Sequence, residues 1–103
     1  MSVMEKLNTK VVVVLPTYNE VENLSLLFSR LFSLNIPRLY LLVIDDASPD
    51  GTGQLAETLA SSYGGRVKVV HRIRKMGLGS AYVEGLQCAL SDGADYVIQM
   101  DAD

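Results

Sequence analysis

The run Lys10-Val11-Val12-Val13-Val14-Leu15, closed by Pro16, constrains this chain more than any other feature. β-Branched side chains favour extended backbone, and a run with no polar alternation has no face to offer water. Such a strand is buried on both sides, as happens when helices cover both faces of a parallel sheet. The rest of the sequence supplies matching parts. Leu41-Leu42-Val43-Ile44, Val67 to Val70 and Tyr96 to Met100 read as further strands, separated by stretches of helical periodicity. Asn19 has N-cap chemistry and Glu22 completes a capping box, so a first helix is predicted from Asn19. Leu24, Leu27, Phe28 and Leu31 give it one apolar face, and Pro37 marks its predicted end. A second helix is expected from about Thr52, with Leu55, Ala56, Leu59 and Ala60 inward and Gly64-Gly65 terminating it. A third is expected from Gly77 to Leu90. The predicted fold is α/β with a mostly parallel sheet.

Composition narrows the function classes. At 103 residues, 49% of them hydrophobic and 20% charged, the chain is expected to form one modest domain, with no linker or internal repeat. A net charge of −3 argues against a nucleic-acid binder. The one basic run, His71-Arg72-Ile73-Arg74-Lys75, is too short to reverse that, though long enough to meet one or two phosphates. The single cysteine, Cys88, excludes an internal disulfide, fits a reducing compartment, and is predicted to be a buried, inert thiol. No signal peptide is visible, and no stretch approaches the ~20 apolar residues that span a bilayer. A soluble domain is expected.

In an open parallel α/β sheet, ligands bind beyond the carboxyl ends of the strands, where the strand order reverses. The unusual polar residues here fall at such ends: Pro16-Thr17-Tyr18-Asn19-Glu20, Asp45-Asp46, the basic run with Gly77-Leu78-Gly79, and Asp101-Ala102-Asp103. Asp101 and Asp103 lie on the same side of an extended backbone. Two ionised carboxylates so placed repel unless a cation joins them, and hard oxygen ligands suit Mg²⁺ or Mn²⁺. A solvated chain end is the bland reading of the same pair. One of Asp45 and Asp46 is expected to serve the turn with Ser48 and Asp50, or else to accept hydrogen bonds from a base or ribose. Tyr18 is a stacking platform or a half-buried loop aromatic. Glu20 binds nucleotide or favours a helix N-terminus. His71 lacks a metal-ligand partner and reads as structural or surface-exposed. Gly77-Leu78-Gly79 is a weak dinucleotide signal, and no Gly-x-x-x-x-Gly-Lys-Ser/Thr loop exists.

Val13-Val14-Leu15-Pro16-Thr17-Tyr18-Asn19-Glu20, Val43 to Thr52, Gly77-Leu78-Gly79-Ser80-Ala81-Tyr82 and Met100-Asp101-Ala102-Asp103 together resemble family 2 glycosyltransferases. Within them the chain looks most like the dolichyl-phosphate (polyprenyl-phosphate) mannose synthases. Ser48-Pro49-Asp50-Gly51-Thr52 and the Gly77 to Tyr82 segment point to that subgroup. The resemblance implies the nucleotide-binding, Rossmann-like half of a GT-A fold, three-layered α/β/α, occupying residues 1–103. It implies a GDP-mannose donor, a dolichyl or polyprenyl phosphate acceptor, and Mg²⁺ or Mn²⁺. By that likeness Pro16, Tyr18, Glu20, Ile44 and Asp46 bind the nucleotide. Asp101, Ala102 and Asp103 meet the diphosphate, with Asp101 and Asp103 as metal ligands and catalytic residues. Arg72 and Lys75 would lie near phosphate.

The implied reaction is hexosyl transfer with inversion, by direct attack of the acceptor phosphate on the anomeric carbon. Such enzymes continue past the Asp-X-Asp element, so the chain reads as truncated and inactive alone. The whole enzyme would sit in the cytoplasm, peripheral to the cytosolic face of a membrane (the endoplasmic reticulum in a eukaryote). Two other readings stay open: a family 2 transferase using UDP-glucose or a similar donor on polyprenyl phosphate, and a non-catalytic nucleotide-binding module.

Overall fold

The computed structural model describes residues 8–102. Seven elements alternate along them: β1 (Val11–Thr17), α1 (Leu24–Phe32), β2 (Leu39–Asp45), α2 (Thr52–Ala60), β3 (Val67–His71), α3 (Leu78–Ser91) and β4 (Tyr96–Gln99). The strands form one sheet in the order β3-β2-β1-β4, and every neighbouring pair is parallel. The predicted class and all four predicted strands are present.

The apolar run of β1 follows from its place between β2 and β4. Val13 and Leu15 join Leu41 and Val43 of β2 under Leu24, Phe28 and Leu31 of α1 and Ala56 of α2. Val12 and Val14 face the other way, with Leu42 and Ile44, against Ala81 and Ala89 of α3. Helices α1 and α2 thus cover one face and α3 the other, giving three layers. Full burial of each Leu or Phe contributes about 1.5–3 kcal/mol. Helix α3 comes especially close at Gly85, where an added methyl carbon would overlap the Val14 side chain. Glycine is the residue that permits this approach.

From β1 the chain steps outward through β2 to β3, and α3 then carries it back to β4 on the far side of β1. The strand order therefore reverses between β1 and β4, which is where this class of sheet opens a crevice. Below the crevice a clasp joins the two strands: Lys10 N donates to Asp95 Oδ2 at 2.8 Å, and Asp95 N donates to Lys10 O at 2.9 Å.

The first helix departs from expectation. Asn19 is not its N-cap; it adopts a left-handed backbone conformation with φ of 59°. Helix α1 starts at Leu24 instead, after a turn in which Glu20 O accepts from Asn23 N and Leu24 N. Glu22 consequently closes no capping box. The helix also ends at Phe32, well before Pro37, and Asn35 (φ 57°) makes the reversal that Pro37 was expected to mark.

Candidate functional site

All four strand ends contribute to one cleft on the carboxyl edge of the sheet. Pro16, Tyr18 and Glu20 come from the β1–α1 loop, Asp46 from the end of β2, Lys75 and Gly77 from the β3–α3 loop, and Asp101 with Ala102 from the segment after β4. The N-terminal turn of α3 completes it with Leu78 and Ala81.

The β1–α1 loop is fixed by the β2–α2 loop rather than by a helix cap. Asn19 N donates to Ser48 Oγ (3.0 Å), Glu20 N to Thr52 Oγ1 (2.9 Å) and Val21 N to Asp50 Oδ2 (3.2 Å). Ser48, Asp50 and Thr52 thus supply acceptors to three consecutive backbone donors, a task that the turn-forming chemistry of Ser-Pro-Asp-Gly-Thr did not reveal. Helical Thr52 is itself fully buried, and its hydroxyl also donates to Asp50 Oδ1.

Adjacent carboxylates at the end of β2 divide the labour. Asp45, 3% exposed, accepts from Thr17 Oγ1 (2.7 Å), Ser48 Oγ (2.7 Å) and Ser48 N (3.1 Å). It serves the turn, as expected of one member of the pair. Immediately after the pair, Ala47 takes a left-handed conformation (φ 56°), an uncommon state for a residue with a side chain. Asp46 turns toward the β3–α3 loop: Oδ1 accepts from Arg72 Nε, and Oδ2 from Met76 N (3.1 Å) and Gly77 N (3.0 Å). Burial pushes the Asp46 carboxyl up, but the Arg72 bond and the Met76 and Gly77 N–H groups outweigh it and hold it below the ordinary carboxylate range.

Arg72 is the hub on the other side. Its side chain is 3% exposed and donates also to Ser80 Oγ (2.8 Å) and Gly77 O (3.0 Å), with Glu84 at 3.6 Å. The expectation that Arg72 lies near phosphate is corrected by this geometry, because its guanidinium is spent on the scaffold. Lys75 does reach the cleft, with Nζ 4.2 Å from the centre of the Tyr18 ring. Tyr18, 37% exposed, keeps an aromatic surface on the cleft. Glu20 keeps its carboxylate in the loop, accepting from Asn23 Nδ2 at 3.0 Å.

Ile44 does not join them. Its side chain is fully buried in the cluster under α3, because its place in the alternation of β2 turns it toward the core rather than the strand end. Cys88 corrects the sequence reading too: it is half-buried, at the boundary where Lys68 Nζ approaches Sγ to 3.4 Å and pairs with Asp92. His71 is exposed beside Glu57, Nε2 to Oε1 2.9 Å, as expected of a structural or surface histidine.

After β4, Asp101 is exposed and lines the cleft, with Oδ1 accepting from Tyr82 OH at 2.8 Å. Its Oδ2 has no hydrogen-bond partner among the described residues. An exposed carboxylate oxygen in a cleft that Lys75 also lines is a hard donor of the kind a divalent cation takes together with phosphate oxygens. Asp103 lies outside the described residues, and among those described no three His, Cys, Asp or Glu side chains gather as a cation cage. No helix among them is long and apolar enough to cross a membrane.

Comparison with known proteins follows the same lines. The chain is 47% identical over 94 residues to a polyprenol monophosphomannose synthase of Mycolicibacterium smegmatis, covering 91% of this chain and 35% of that protein. It is 47% identical over 94 residues to an undecaprenyl-phosphate mannosyltransferase of Micrococcus luteus, covering 91% and 38%. It is 44% identical over 95 residues to a dolichol-phosphate mannosyltransferase of Pyrococcus furiosus, covering 91% and 26%. The chain therefore spans between about a quarter and two-fifths of the curated relatives it matches. Among solved structures it superposes on the mannosyltransferase PcManGT from Pyrobaculum calidifontis, in complex with GDP-Man and Mn²⁺. That match has a TM-score of 0.77 and 26% identity, over 95% of this chain and 29% of the other. S. aureus TarS gives a TM-score of 0.79 at 26% identity, over 92% and 28%. The fold is the Rossmann-like half of a GT-A domain. The family model described as glycosyl transferase family 2 matches residues 12–103, and the chain belongs to that family.

Proposed function

We propose that this chain is the donor-binding part of a GT-A enzyme that transfers mannose from GDP-mannose to a dolichyl or polyprenyl phosphate, with inversion. The observation that carries this reading is the cleft at the β1/β4 reversal, where Pro16, Tyr18, Glu20, Asp46, Asp101 and Ala102 meet. The polyprenyl-phosphate relatives and the GDP-Man and Mn²⁺ of PcManGT support the choice of substrates.

In this reading the exposed ring of Tyr18 and the Asp46 end of the cleft receive the nucleoside. Asp101 and Asp103 would hold Mn²⁺ or Mg²⁺ near the diphosphate. The bound cation supplies charge neutralisation for the departing GDP. An acceptor phosphate is already anionic near neutral pH, so its oxygen attacks the anomeric carbon without a protein base. One carbon–oxygen bond to the diphosphate breaks as one to the acceptor phosphate forms. Lys75 adds positive charge on the same side as the diphosphate. The whole enzyme would be cytoplasmic and peripheral to the cytosolic face of a membrane, where its lipid acceptor resides.

Titration of the chain with GDP and with UDP, each with Mn²⁺ or with chelator, tests the proposal. Metal-dependent binding that prefers GDP is expected. A UDP preference would move the donor to UDP-glucose or a similar sugar, and no nucleotide binding would leave a non-catalytic module. Asp103→Asn in the intact enzyme is expected to weaken metal-dependent donor binding, and unaltered affinity would remove Asp103 from the metal. The 103-residue chain alone is expected to show no mannosyl transfer.

A further inference from the structure

The β3–α3 loop carries exposed residues, Ile73 and Arg74, that do not line the donor cleft. Ile73 is 89% exposed, more than any other large hydrophobic residue described, and Met76 and Leu78 beside it are 45% and 54% exposed. Arg74 is exposed and has no hydrogen bond or ion pair among the described residues. The loop is nevertheless held firmly. Asp46 binds Arg72, Met76 N and Gly77 N, and Arg72 in turn binds Gly77 O and Ser80. A buried ion pair thus anchors a segment whose next residue presents isoleucine to water.

Charge and position say what chemistry this suits. Asp46 neutralises Arg72, which leaves Arg74 and Lys75 as positive charge beside Ile73, on a chain of net charge −3. Aliphatic side chains adjacent to unpaired cations match the boundary between acyl chains and anionic headgroups. The outer side of α3 is also apolar, with Val83, Leu86 and Leu90 exposed, but the nearby Lys68 is paired with Asp92. The loop lies on the same edge of the sheet as the cleft, and Lys75 and Gly77 line the cleft itself. Contact there would bring the cleft mouth to the level at which a lipid-linked phosphate leaves the bilayer.

We infer that the β3–α3 loop docks this protein onto an anionic membrane surface, with Ile73 entering the acyl boundary and Arg74 at the headgroups. The choice of a bilayer as partner rests on the lipid-phosphate acceptor of the proposed function.

Sedimentation of the chain with phosphatidylcholine vesicles, with and without phosphatidylglycerol, tests this directly. Binding is expected only with phosphatidylglycerol and should weaken as salt is raised. Ile73→Asp should reduce partition about tenfold or more and Arg74→Glu several-fold, while Leu86→Asp on α3 leaves it unchanged. Both loop residues are exposed, and unchanged GDP binding with Mn²⁺ by these variants would show that the fold and the cleft survive. No binding of the unaltered chain to the anionic vesicles would overturn the inference. So would loop variants that partition normally, or loss of binding on Leu86→Asp alone. Ile73-dependent vesicle binding by a chain that takes neither GDP nor UDP would sustain the docking surface and remove the donor-binding reading.

Discussion

The two acidic segments of this chain, Asp45-Asp46 and Asp101-Ala102-Asp103, look interchangeable in sequence, yet the described parts of them live under opposite conditions. Asp45 and Asp46 are 3% and 5% exposed and accept six hydrogen bonds between them. Asp101 is exposed and accepts one among the described residues, from Tyr82. At the end of β2 negative charge is used to build, joining three loops into one wall. After β4 it is left exposed, with one carboxylate oxygen free of partners among the described residues. Buried, bonded carboxylates and an exposed one are thus placed on opposite sides of the β1/β4 reversal, and the acids themselves do not announce which is which.

The comparison breaks most visibly at Arg72. Arg72→Ala leaves Asp46 charged and buried without its partner, and a loss of about 3–5 kcal/mol in urea unfolding is expected. That is a large part of the ~5–15 kcal/mol a domain usually has. Acid should come next. Because the Asp46 carboxyl is held low in the fold, its contribution is fully present above the unfolded carboxylate value of ~3.9 and is lost as pH falls through the lower folded value. Stability measured down an acid series should therefore fall more steeply for the natural chain than for Asp46→Asn. Equal slopes would mean the network does not set the titration.

The other side should respond in binding, not in stability. Asp101→Asn is expected to leave unfolding within about 0.5 kcal/mol of the natural chain. It should weaken GDP binding in Mn²⁺ about tenfold, equivalent to about 1.4 kcal/mol. A variant that unfolded easily would place Asp101 with the builders. Tyr82→Phe should have the smallest effect, a few-fold change in Mn²⁺-dependent affinity, since it removes one hydrogen bond worth ~0.5–1.5 kcal/mol.

The strands were legible because burial on both faces leaves an unambiguous mark: Val11 to Leu15 has no polar residue to give to solvent. The convergence of four strand ends was legible for the same reason, since parallel strands put all their carboxyl ends on one edge. The start of α1 was misread because Asn19 and Glu22 satisfy a local rule. The loop obeys distant partners instead, Ser48, Asp50 and Thr52, which no local pattern reports. Arg72 was misplaced by its neighbours, since a basic run suggests solvent and phosphate. Only the fold reveals that the first arginine of that run turns inward to Asp46. The burial of the Ile44 side chain was legible from alternation alone, as it shares a face with Leu42 in the core.

The clasp between Lys10 and Asp95, and the pairing of Val11 with Tyr96 above it, join residues separated by nearly the whole chain. During synthesis β1 emerges before β4, so one edge of a valine-rich strand stands open until β4 has been made. Contacts this distant in sequence form slowly, and an open apolar edge invites pairing with other chains. The cleft therefore cannot close before β4 exists, and its assembly is a race between pairing with β4 and aggregation. A chaperone that shields Val11 to Leu15 would act on the yield of this protein rather than on its stability.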